Sequence, residues 1–121
     1  MWSATDPQLR TIALEVLTNH WRLADYWDIA RAFLEQDPDK ECRMQGASAL
    51  EVLKRNTQDR RTLSILAHVV YNPHEASLVR ETAYAAMRGI IHYDPSEQFH
   101  LASKRLNLSQ DVDWVMVESY L

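Results

Sequence analysis

Five histidines and one cysteine are the side chains in this sequence best suited to metal or nucleophile chemistry. The histidines stand at 20, 68, 74, 92 and 100, and no two are three or four positions apart. No helix therefore presents two imidazoles to one ion. Cys42 stands alone, so it offers neither an internal disulfide nor a paired-cysteine metal motif. Glycines occur only at 46 and 89, which leaves no glycine-rich phosphate loop. Neither His-Glu-x-x-His nor Gly-x-Ser-x-Gly is present. His74-Glu75 is the one His-Glu dipeptide, and it follows Pro73 in a turn. These residues predict no catalytic site, no metal ligands and no cofactor. Trp2, Trp21, Trp27 and Trp114 are many tryptophans for 121 residues. They predict core packing or an aromatic anchor for a partner.

The elements that position these side chains are helices. Hydrophobic residues make up 46% and charged residues 25%, a balance that supports a real core in a single domain, 1–121. Two glycines and four prolines supply few β-turns, which predicts an all-α chain. A net charge of −4 argues against a dedicated nucleic-acid binder and leaves room for a local basic face. No run is apolar enough to span a membrane and the start lacks a leader-like pattern, so a cytoplasmic location is expected. Capping signals at Asp6-Pro7, Asp25, Asp39, Asp59 and Asp94-Pro95 predict helix starts, with a last helix starting at Ser109 or Asp111. The helix after Asp94 carries Phe99, Ala102 and Leu106 as its expected apolar stripe.

Leu66–Ile90 lies on Ile29–Leu53 at an offset of 37 without a gap, apolar on apolar and small on small. A fixed period of this length predicts stacked helical hairpins. Asp37-Pro38 with Arg43, Gly46, Ala49 and Leu50, and Asn72-Pro73 with Arg80, Ala83, Ala86 and Met87, make this pattern resemble the HEAT repeat. A weaker copy begins at Asp6-Pro7 with Arg10, Ala13, Val16 and Leu17. The resemblance implies a right-handed α-solenoid of about three hairpins, at 6–36, 37–71 and 72–108, with a C-terminal capping helix at 109–121. It also implies that Asp37 pairs with Arg43. The aligned small residues, Ala13, Gly46 and Ala83, are expected at close crossings within each hairpin. Gly46→Ala is expected to be tolerated, because alanine favours the helix.

Short HEAT-like arrays imply a non-catalytic adaptor or scaffold for protein–protein interaction, with a peptide or helix on the concave face. In such stacks the second helix of each hairpin lines that face. The unused stripes there give Trp27 and Arg31, then Ser64, His68 and Tyr71, then His100, Lys104 and Asn107. Arg31, His68 and Lys104 would form a narrow basic line suited to an acidic peptide or helix. Two other classes stand beside this reading. One is a nucleic-acid-binding module using a local basic face. The other is a HEAT-like enzyme or lyase subunit, of which deoxyhypusine hydroxylase, with its His-Glu iron ligands, is an example that His74-Glu75 resembles.

Overall fold

The computed structural model describes Pro7 and residues 25–121. The expected helix after Asp6, together with Trp2, His20 and Trp21, lies outside the described residues. About 70% of the described chain is helical and none of it is strand. Its six helices are α1 (Asp25–Gln36), α2 (Lys40–Lys54), α3 (Arg60–Tyr71), α4 (Ser77–Ile91), α5 (Pro95–Ser103) and α6 (Trp114–Glu118). No described helix is long and apolar enough to cross a membrane.

Local chemistry sets most of these boundaries. Asp39 caps α2 by accepting the Cys42 amide, and Asp59 caps α3 by accepting that of Thr62. Asp94 caps α5, where Pro95 occupies a first-turn position whose N–H needs no helical partner. α1 stops ahead of Asp37-Pro38, because proline disfavours helical backbone in the residue before it. The last helix starts later than expected. Its cap is Asp113, which accepts the Met116 amide, so neither Ser109 nor Asp111 opens it.

α1 and α3 have 12 residues each, α2 and α4 have 15 each. Positions 37 apart are buried in pairs: Ala30 with Ala67, Phe33 with Val70, Cys42 with Val79, Ala49 with Ala86, and Leu50 with Met87. The most extensive helix contacts are α1 on α2, α2 on α4 and α3 on α4. Among consecutive helices the extensive pairs are therefore α1 with α2 and α3 with α4, joined through the proline turns at 37–39 and 72–76, whereas the helices of the expected hairpins at 37–71 and 72–108 touch far less. α6 packs against α3, with Val117 fully buried and Trp114 edge-on to Tyr71 at 6.3 Å. α5 instead lies against α4.

Arg43 ties the start of α2 to two turns. Its Nη1 donates to the carbonyls of Asp37 at 2.9 Å and Pro38 at 3.1 Å. Its Nε and Nη2 grip both carboxylate oxygens of Glu75. The Asp37–Arg43 contact expected between side chains therefore includes the Asp37 main chain, and the carboxylate that takes the guanidinium fork is Glu75.

Two expectations are corrected here. Phe99 is 76% exposed, Ala102 is exposed, and α5 buries no residue at all. α5 is turned so that Glu97, Gln98 and Leu101 face α4, since Glu97 binds Arg88 and Gln98 binds the Ala85 carbonyl. Gly46 does sit at a close crossing, but its neighbour is α1. A Cβ there would lie 2.6 Å from the Leu34 amide nitrogen and 2.7 Å from the Ala30 carbonyl oxygen. Backbone cannot swing aside as a side-chain tip can. Gly46→Ala is therefore expected to destabilise by ~1–3 kcal/mol, the cost of overpacking, which outweighs the gain in helix propensity. Ala83→Leu, at the equivalent fully buried position, is expected to cost a similar amount. Thermal melts of the two variants check both; a wild-type melt for Gly46→Ala would mean α1 and α2 can separate freely.

Candidate functional site

A groove of about 670 Å³ runs along the outer face of α4. α2 forms one wall, through Met44, Gln45, Ser48 and Val52, together with Arg55 at its C-cap. α5 and the residues after it form the other, through Gln98, Leu101, Ser103, Lys104 and Arg105. The floor is Leu78, Thr82 and Ala85 of α4. The floor points away from α3 because α4 spends Val79, Ala83, Met87 and Ile90 on the core.

Two buried glutamates lie in this groove, which is unusual, since an ionised carboxylate is rarely buried unless paired. Glu51 is 6% exposed and Glu81 is 7% exposed. Arg55, one turn after Glu51, binds it through Nε at 3.1 Å and Nη2 at 2.9 Å. The same guanidinium stacks on Tyr93, 3.7 Å from the ring centroid. Glu81 accepts Nε and Nη2 of Arg105, the latter at 2.7 Å, and the Leu106 amide, also at 2.7 Å. Burial pushes the Glu81 carboxyl up, but the bonds from Arg105 and Leu106 and the Arg105 charge more than reverse this. Its pKa lies below the ordinary glutamate value. The bond to Glu81 in turn raises the Arg105 pKa.

Gly89 explains how Glu51 fits. A Cβ at residue 89 would collide with the Glu51 carboxylate and its Cγ at 2.7 Å. Glycine there opens the space that α2 fills with a charged side chain. The sequence holds a signal for this, because glycine in a helix interior costs about 1 kcal/mol relative to alanine. Glu51 and Arg55, by contrast, are spaced like any exposed helical ion pair. Arg105 and Glu81 are 24 residues apart, and no local pattern joins them.

The residues expected on a concave face fall in several places. Trp27 is 7% exposed and belongs to the core. Its Nε1 donates to Thr62 Oγ1 at 2.9 Å, and that hydroxyl donates to the α3 cap Asp59 at 2.5 Å. The Thr62 bonds, opposed by partial burial, hold the Asp59 carboxyl below its ordinary pKa. Arg31 lies over Trp27 and pairs with Glu35 at 2.8 Å. Ser64 accepts His68 Nδ1 through its carbonyl at 2.8 Å; His68 and Tyr71 are exposed. His100 is exposed on α5. Lys104 and Asn107 lie beyond the end of α5, with Asn107 closing a turn with Ser109 and Asp111. Lys104 lines the groove along α2 and α4, whereas Arg31 and His68 lie on α1 and α3. Successive helices therefore do not carry these three residues as one row. The cause is α5, which packs on α4 while α6 takes the place beside α3.

Among the described residues no three His, Cys, Asp or Glu side chains converge as a metal set. Comparison with the models of known protein families, with curated proteins and with solved structures finds no match.

Asp59 and Glu81 both carry lowered pKa values. Their contribution to stability is fully present above the ordinary carboxylate range and is lost as pH falls through their folded values. Thermal melts from neutral pH into acid are expected to show a steeper loss for wild type than for Glu81→Gln/Arg105→Gln. Arg105→Gln alone is expected to be less stable at neutral pH than that double variant, because it leaves Glu81 buried without its counter-ion. An Arg105→Gln melt equal to wild type would show that the pair carries no weight.

Proposed function

We propose that this chain is a short HEAT-like solenoid domain acting as a non-catalytic protein-interaction module, and that it takes a peptide or helix of another protein into the α2/α4/α5 groove. The repeated 12- and 15-residue helices and the buried positions 37 apart support the solenoid reading. The observation that carries the interaction reading is the groove itself. It has an apolar floor, walls of mixed polarity and two charged pairs fixed within it. Grooves between helices that accept the apolar face of another helix are a recurrent mode of peptide recognition.

The α1/α3 face is a poorer candidate. Its one tryptophan, Trp27, is packed inside and its indole N–H is already bonded to Thr62. Arg31 is held by a single bond to Glu35 on an exposed face of α1, outside the groove. Within the groove the two buried carboxylates are not placed for proton transfer. Glu51 and Glu81 instead hold arginines bidentately, which suits them to fixing geometry.

Ser48 is exposed on the α2 wall, so Ser48→Trp narrows the groove without entering the core. Affinity capture from native lysate is expected to recover a partner with wild type and to lose at least about tenfold of it with Ser48→Trp. Partners recovered equally by both proteins would place the interaction elsewhere on the surface.

A further inference from the structure

We infer that the groove reads carboxylates: Arg55 and Arg105, each clamped by a buried glutamate, offer their remaining N–H edges to two acidic side chains of an amphipathic helix lying along α4. This rests on the groove being the interaction site. A guanidinium has five N–H donors in a rigid fork. Glu51 uses Nε and Nη2 of Arg55, and Glu81 uses Nε and Nη2 of Arg105. Nη1 of each has no hydrogen-bond partner among the described residues, which leaves one edge of each fork unspent. Arg105 is also 64% exposed at its side chain. The clamp matters because a free arginine loses rotamer entropy on binding, whereas these two are already fixed. Tyr93 fixes Arg55 a second time through its ring face.

The spacing of the two clamping glutamates is set by α4, and each arginine lies within hydrogen-bond reach of its glutamate. Glu51 lies across Gly89, and Gly89 is eight residues along α4 from Glu81. Eight residues rise ~12 Å, so a partner helix needs acidic residues seven or eight positions apart on one face. Between them its apolar side chains meet Met44, Val52, Leu78, Ala85 and Leu101. Lys104 adds a cation at the Arg105 end.

A nucleic-acid backbone fits this site less well. Affinity for a polyanion comes from an uncompensated positive field. Here each arginine charge is cancelled by the glutamate it clamps, on a chain of net charge −4. What remains is directional N–H bonding at two fixed points, which suits two discrete anionic groups on a folded helix better than a polyanion gathered by a broad positive field.

The test is a display selection of random peptides about sixteen residues long, some four helical turns, against the full chain and, in parallel, against Ser48→Trp. Ala85→Trp, on the floor, replaces Ser48→Trp if circular dichroism shows that the latter unfolds. Sequences enriched on wild type and absent from the blocked variant are expected to carry two Asp or Glu seven or eight positions apart, flanking apolar residues. Synthetic copies are expected to lose about tenfold in affinity when either acid becomes Gln or Asn. Glu81→Gln/Arg105→Gln, in which a neutral pair replaces the ionic one, is expected to remove that dependence at one acidic position only. Groove-dependent sequences without the paired acids, or neutral copies that bind unchanged, would overturn the carboxylate reading and leave the groove standing. The absence of any groove-dependent sequence would overturn the groove reading, and this inference with it. Displacement of the peptides at low salt by a single-stranded DNA of about twenty nucleotides would assign the site to nucleic acid instead.

Discussion

α2 is pressed between two neighbours, and the chain's two glycines mark both contacts. On one side Gly46 lets the α2 backbone meet the α1 backbone at Ala30 and Leu34. On the other side Gly89 of α4 leaves room for a side chain of α2, Glu51. Both glycines lie inside helices and neither has the positive φ that usually calls for glycine. Their role is steric. The rest of the described fold depends on this pair of approaches, since α2 is the element that α1 and α4 share. The loop after α2 uses the same alignment: the amides of Asn56 and Gln58 donate to the last carbonyls of α4, Gly89 and Ile90. Asn56 and Gln58 adopt φ values of 61° and 56° to do so, a left-handed backbone that non-glycine residues take at some cost.

Bringing a carboxylate into the α2–α4 contact has consequences for the site. A buried charge demands a partner, and an arginine is the side chain that satisfies both oxygens at once. Glu51 draws Arg55 inward from the exposed face of α2, and Glu81 draws Arg105 back over α4 from the segment after α5. Two long cationic side chains that would otherwise wander are thereby fixed within one groove.

The sequence made the core positions legible, because buried residues recur at 37 with matching size, from Ala30/Ala67 to Leu50/Met87. It made the caps legible because Asp39, Asp59 and Asp94 act on amides two or three residues away. It misled at Gly46, where the propensity argument could not include the α1 backbone. It misled at Phe99, because a nine-residue helix held by Glu97 and Gln98 need not bury its largest apolar residue. Lys104 and Asn107 were read as one more turn of that helix, which ends at Ser103. Once α5 left the row of α1 and α3, the basic line built on equivalent positions could not form. Glu81 with Arg105 was invisible for a different reason: a contact across 24 residues leaves no periodic trace.

The groove is open because of what attaches α5. Helices that meet through interlocked apolar side chains settle about 8–10 Å apart and leave no channel between them. α5 meets α4 through Glu97 on Arg88, Gln98 on the Ala85 carbonyl, and the Arg105–Glu81 pair just beyond its end. Two of these contacts join side chains and one runs from a side chain to the main chain, and Leu101 is the apolar residue of α5 that packs against the core. Leu78, Thr82 and Ala85 line the groove between α2 and α5. The Arg105–Glu81 pair that helps attach α5 also lines the groove, together with Arg55–Glu51, and the two pairs leave its arginines aimed by glutamates rather than by solvent.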